Sequence, residues 1–294
     1  MFKDELKEYV ETSGLVNMKE AGEGIYVLKY KKKVFYDNLW NEYIAECRGT
    51  IVDADFNIVS YPFTKIYNLG IEKAAPVLAA DTKVTAYRKV NGFMVACTWW
   101  KGDVLVSTTG STDSDYVRMA KEMMLSHMSW EDWQLGFTKT DMDGMTVMFE
   151  AVHRLDPHII PEKEGLHLLG YRENVWGSKV GYNPEVLDAM AYMFNCHKVE
   201  HFSTTVGELK QMAKVCKHEG FVAYTEDGTS FKIKSPYYLI QKALARKKDI
   251  LSLNKELIEE EYYPLLNHLL EIKDYFNSLP EQDRLEYIRT FLSK

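Results

Sequence analysis

The segment Lys89-Val90-Asn91-Gly92 places a lysine at the end of a strand-like run, two residues before an Asn-Gly pair. On its own the pattern suits a hairpin turn, since Asn-Gly favours two-residue connections between antiparallel strands. It also suits a nucleophile, provided that the amine sheds its proton. Free lysine titrates at about 10.4, and burial or neighbouring cations lower that value. Lys232 and Lys234 stand at alternate positions of another strand-like run, so both ammonium groups lie on one face. From there they could depress Lys89 and bind phosphate oxygens.

The elements that must position these lysines can be read from periodicity. After a short amphipathic helix at the start, residues up to about 85 hold strand-like runs at 24–30, 33–40 (KVFYDNLW) and 48–63. The last reads as a hairpin turning at Asp53 to Asn57. Runs at 84–90, 92–100 and 103–109 are three further strands, for which antiparallel pairing is the economical inference. Residues 114–128 form a helix with Ser114 as N-cap. Strands are expected again at 146–152, 166–172, 220–226 and 230–236, and helices at 184–195 and 204–217. Beyond Pro236, Leu251, Leu257, Ile258, Leu265, Leu269, Ile272 and Phe276 recur at helical spacing amid Glu and Lys, which gives a small all-helical appendage.

At 294 residues, with 46% hydrophobic and 27% charged residues, the chain has the balance of a folded soluble protein. Its net charge of −7 weakens a nucleic-acid partner without excluding one, because phosphate binding depends on local charge. The four cysteines are scattered and include no Cys-x-x-Cys pair, which points to a reducing, cytoplasmic setting. Apolar runs are too short to span a bilayer, so no membrane role is expected. Cys196, His197, His201, Cys216 and His218 fit no common zinc spacing and read as ordinary packing. The densest basic stretches, Lys29 to Lys33 and Lys242 to Lys248, are either solvated faces or a track for single-stranded RNA.

Seven short blocks occur in order: ECRGTIV (46–52), FTKIYNLG (63–70), KVNG (89–92), VMFEAV (147–152), LLGYREN (168–174), HEGFVAY (218–224) and FKIKSPYY (231–238). Together they resemble the covalent nucleotidyltransferases, the ATP-dependent ligases and messenger-RNA capping enzymes, and most of all the phage RNA ligase 1 family. The resemblance runs from about residue 40 to 240. It implies an α+β fold: a nucleotidyltransferase domain of largely antiparallel sheets with flanking helices over 1–240, then a small all-α domain over 241–294.

The resemblance further implies an ATP-dependent RNA ligase that joins 5′-phosphate and 3′-hydroxyl ends through lysyl-AMP on Lys89 and an RNA-adenylate. Lys232 and Lys234 would serve the triphosphate, and Arg48 and Lys65 the α-phosphate or ribose environment. Glu150 would face the ribose, and Glu219 a metal, directly or through water; magnesium is expected, with manganese substituting. Asn91 and Gly92 complete the nucleotide site, and Tyr171 is the candidate to stack on adenine. The expected partner is single-stranded RNA or transfer RNA in the cytoplasm, the host's if the gene is a phage's, with RNA or transfer-RNA repair as the expected use and no obligate protein partner evident.

One departure is Thr109 before Gly110-Ser111, where the phage ligases carry a lysine. The nearest rivals, a DNA ligase or a capping enzyme, would follow the FKIKSP block with a β-rich domain, and the helical tail argues against both. A non-catalytic module binding nucleotides or RNA ends is the rival of another class.

Overall fold

The computed structural model describes residues 2–22, 24–140, 142–253 and 258–293. Helix α1 (Phe2–Thr12) buries Leu6 and Val10 and leads into the hairpin β1 (Val16–Glu20) and β2 (Ile25–Tyr30). Two short helices, α2 (Lys32–Tyr36) and α3 (Glu42–Glu46), precede β3 (Arg48–Asp53) and β4 (Ile58–Ser60), and the four strands pair antiparallel in order β1-β2-β3-β4. The turn between β3 and β4 is the one expected: the Asp53 carboxylate accepts the backbone N–H groups of Asp55 and Asn57 at 2.9 Å.

The strand expected over 33–40 is not formed, and Lys32–Tyr36 is helical instead. Val34 is fully buried, but Phe35 and Tyr36 are 57% and 77% exposed. The aromatic content that reads as a strand is therefore not matched by burial.

Next come β5 (Tyr67–Asn68), β6 (Lys83–Arg88), β7 (Phe93–Trp100) and β8 (Asp103–Thr108), then helices α4 (Asp115–His127) and α5 (Trp130–Thr138). Ser114 caps α4, its hydroxyl accepting the Val117 N–H. Strands β9 (Met145–Val152), β10 (Gly165–Glu173) and β11 (Val180–Gly181) follow, then α6 (Pro184–Met193), β12 (His201–Thr205) and α7 (Val206–Val215). Thr205 and Glu208 form a capping box at the start of α7. The hairpin β13 (Gly220–Thr225) and β14 (Ser230–Lys234) completes the strands.

Two five-stranded sheets result, in orders β11-β10-β9-β7-β8 and β12-β6-β13-β14-β5, antiparallel throughout except for the β5–β14 pair. Strands β6 and β7 thus belong to different sheets, and Asn91-Gly92 is not a hairpin turn. Neither residue has the positive φ that such a turn requires. The main core packs β7, β9 and β10 against α4, α5 and α6 around Trp133, Phe137, Phe149 and Phe194, with Trp133 and Phe194 stacked at 5.0 Å. Each such ring, once buried, contributes of order 2 kcal/mol or more.

The chain ends in α8 (Pro236–Arg246), α9 (Tyr263–Glu271), α10 (Lys273–Ser278) and α11 (Glu281–Leu292). Leu265, Leu269, Phe276 and Ile288 form a separate apolar cluster with Tyr238 and Leu244 of α8 and with Ile159 and Ile160 from the β9–β10 connection. Leu257 lies outside the described residues. Among the described residues, no helix is long and apolar enough to cross a membrane.

Candidate active site

Because β6 and β7 sit in different sheets, the Lys89–Gly92 link crosses from one to the other at the mouth of the cleft between them. Its backbone is fixed at both ends. The Lys89 N–H donates to the Gly220 carbonyl at 2.8 Å, and the Gly92 N–H to Glu150 Oε1 at 3.0 Å. Gly92 is required here for space rather than for φ, since a Cβ would fall 2.3 Å from the Ala151 carbonyl oxygen.

Glu219, just before β13, organises the side chains. Its Oε2 accepts from Lys89 Nζ at 2.9 Å and from Asn91 Nδ2 at 2.8 Å, and its Oε1 pairs with Lys234 Nζ at 3.0 Å. The carboxylate is 2% exposed, so all three contacts act with little competition from water. Gly220 makes this possible: with φ at +127°, a Cβ would lie 2.0 Å from the Ile233 carbonyl oxygen, so only glycine lets β13 start so close to β14. Asn91 faces two ways, its Oδ1 accepting the Ile160 N–H at 3.0 Å.

The protonation pattern differs from the sequence expectation. Burial works against the charge on Lys89, but Glu219 and Glu150 outweigh it and hold the amine above its ordinary value. Lys89 is therefore not depressed overall, since Glu219 takes up Lys234 and stands against Lys89. Lys232 is strongly depressed: burial first, then Lys65, Arg48 and Lys234, bring it to about 7. Glu219 is pushed up by burial, yet Lys89 and Lys234 leave it below its usual range. Burial, against the pull of Lys89, raises Glu150.

The cleft beyond Lys89 has a polar wall of Arg48, Glu150 and Lys232 and an apolar one that includes Phe63, Leu169, Val199, Val222 and Tyr224. Arg48, Lys89, Glu150 and Lys232 therefore meet in one cavity, with Asn91, Gly92, Glu219 and Lys234 shaping its mouth. Lys65 is brought close but is engaged: Nζ pairs with Glu72 at 2.7 Å and lies 4.9 and 4.7 Å from the ring centroids of Trp40 and Tyr67. Tyr171 is not brought in. It faces Gly181 across the β10–β11 pair and lines a separate cleft with Tyr182 and Thr204.

The aromatic rings that do line the cavity are Phe63, Tyr87 and Tyr224, which sequence reasoning missed. A signal existed for Tyr224, which follows Val222 by two positions in one strand and shares its face. Arg172, also missed, holds the walls together rather than meeting a ligand. It pairs with Glu46 at 3.1 Å, donates to the Pro62 and Ser178 carbonyls, and stacks on Tyr61 at 3.4 Å. Among the described residues, no group of three His, Cys, Asp or Glu side chains is arranged to hold a metal.

Comparison with known proteins fits this geometry. Of solved structures, an archaeal ATP-dependent RNA ligase superposes with a TM-score of 0.55 at 15% identity, covering 97% of this chain and 75% of the other. A protein of Aquifex aeolicus described as an ATP-dependent DNA ligase gives 0.53 at 14%, covering 97% and 76%. At such identities the likeness speaks for the fold. The model of the RNA ligase family, of the phage ligase 1 type, matches residues 46–238, which contain every site residue named above, and the chain belongs to that family of enzymes.

Proposed function

We propose that this RNA ligase is ATP-dependent and works through a covalent AMP on Lys89, with residues 1–240 carrying the chemistry and 241–294 as a helical appendage. The observation that carries the reading is the single carboxylate of Glu219 holding Lys89, Asn91 and Lys234 at the mouth of a cleft lined by Arg48, Glu150 and Lys232. In the first step the Lys89 amine, once deprotonated, attacks the α-phosphorus of ATP. A nitrogen–phosphorus bond forms, the bond to the bridging oxygen breaks, and pyrophosphate leaves. Arg48 and Lys232 face the phosphate oxygens on which charge develops, and Glu150 is close enough to the link for the ribose hydroxyls.

In the second step an oxygen of the RNA 5′-phosphate attacks the same phosphorus, and Lys89 leaves as an amine that regains a proton. The 3′-hydroxyl of the other end then attacks the activated 5′-phosphate, forming the phosphodiester and releasing AMP. A divalent ion fits the donor chemistry, since Glu219 and Glu150 offer hard oxygen ligands, although Glu219 already accepts from three groups. Magnesium, or manganese in its place, would take the rest of its ligands from phosphate and water, and would neutralise the carboxylate charge that keeps Lys89 protonated.

The test is incubation with ATP labelled at the α-phosphate. The label is expected on the denatured native chain and absent from Lys89→Ala; a labelled Lys89→Ala chain, or an unlabelled native one, overturns the reading. As natural substrate we propose single-stranded RNA ends in general, those of a nicked anticodon loop included. A clear rate advantage for the nicked transfer RNA over unstructured oligomers would favour dedicated transfer-RNA repair instead.

A further inference from the structure

A second groove opens beside the Lys89 cleft, and Met94 lines both. Its walls come from distant parts of the chain: Lys29 on β2, Thr109 and Gly110 after β8, Tyr116 on α4, His158 from the β9–β10 connection, and Arg246 at the end of α8. The two densest basic stretches of the sequence thus contribute one cation each to the same groove.

Lys29 is exposed and lies across Gly110, where a Cβ would come within 2.7 Å of its ammonium nitrogen. No carboxylate is paired with it among the described residues. It is also the cross-strand neighbour of Arg48, which lines the cleft at Lys89. At the far wall Arg246 is exposed, its Nε held by Glu281 at 3.0 Å. Between them Tyr116, 44% exposed, has its ring braced edge-on by Phe93 at 4.9 Å. The carboxylate lining the groove, Asp156, is engaged by His158 at 2.8 Å and by the Tyr116 hydroxyl at 3.4 Å.

Two cations flanking an exposed aromatic ring form a platform for a single strand, with phosphates on the charges and a base on the ring. We propose that this groove binds single-stranded RNA next to the end being joined, through Lys29, Arg246 and Tyr116. The inference rests on the RNA ligase reading of the neighbouring cleft. The triphosphate tail of the nucleotide has the same phosphate chemistry, and the experiment separates the two sources.

Binding of a short fluorescent 5′-phosphorylated RNA to the full chain is measured without ATP across a salt series, and labelling by ATP is measured separately without RNA. Lys29→Ala and Arg246→Ala are each expected to weaken RNA binding and to flatten its log–log salt slope by about 0.7. Tyr116→Ala should lose about tenfold, while Tyr116→Phe, which keeps the ring, stays near the native affinity. ATP labelling should stay within about twofold of native in all four variants, since none touches the Lys89 site. Loss of labelling with unchanged RNA binding would assign the groove to the triphosphate and overturn the proposal, as would no change in either measurement. Should an alanine variant fail to fold, Lys29→Gln and Arg246→Gln keep the bulk and remove the charge. Because RNA binding is read without ATP, its outcome is independent of whether Lys89 accepts AMP.

Discussion

Lys89 and Lys232 face one cleft and are pushed in opposite directions from the ordinary lysine value. On the Lys89 side, two carboxylates outweigh burial and keep the amine charged. On the Lys232 side, burial is joined by Lys65, Arg48 and Lys234, and the amine sits at about 7. The wall around Lys232 is richer in cations than in anions and suits phosphates, whereas Lys89, the proposed nucleophile, is stored as an ammonium group. Charge arriving with the ligands would relax both sides at once.

Glu219→Gln should break this contrast most. It leaves two half-buried lysines without their partner, a loss of about 2 kcal/mol readable by chemical denaturation. With the carboxylate gone, Lys89 loses the larger of the two pulls that raise it and keeps only that of Glu150, so the rising limb of single-turnover adenylylation should move to lower pH. An unchanged limb would show that Glu219 does not set the state of Lys89.

Lys232→Met should act in the other direction on stability. The unfolded chain, with lysine near 10.4, binds more protons than the folded one between about pH 7 and 10, so native stability rises with pH through that window. The penalty is fully present below pH 7. Removing the amine should therefore stabilise the chain at pH 6 by about 1–2 kcal/mol, allowing for partial solvent access, and flatten the rise. The same variant should lose about tenfold in KM for ATP. At pH 8 the native chain should take up a proton on binding ATP, seen by calorimetry in two buffers of different ionisation enthalpy, and the variant should not.

The smallest effect sharpens the boundary of the cleft. Tyr171→Ala is expected to leave KM for ATP within about twofold, because the ring lies in the neighbouring cavity. A large rise would restore Tyr171 to the nucleotide site.

Most of the sheet strands and the shared face of Lys232 and Lys234 were legible from a period of two, written directly into β14, whereas the short strands β1, β5, β11 and β12 were not expected. The KVNG link was legible as chemistry but not as geometry, since nothing local says that β6 and β7 part into different sheets. The charge state of Lys89 was out of reach for a related reason. It is decided by Glu219, 130 residues away along the chain, and a sequence gives no distance between the two. The run at 33–40 misled because aromatic residues that resemble a strand's buried face remain in solvent.

Asn91 holds Glu219 with one end of its amide and the Ile160 backbone with the other. Ile160 is at the same time part of the apolar cluster of the final helices, and Arg289 of α11 donates to the His158 and Ile159 carbonyls beside it. The tail is therefore wired to the Lys89 amine through a single amide and the Glu219 carboxylate. Clipping those helices away would unseat Ile159 and Ile160, slacken the Asn91 anchor, and blur the aim of Lys89 from the opposite end of the polypeptide.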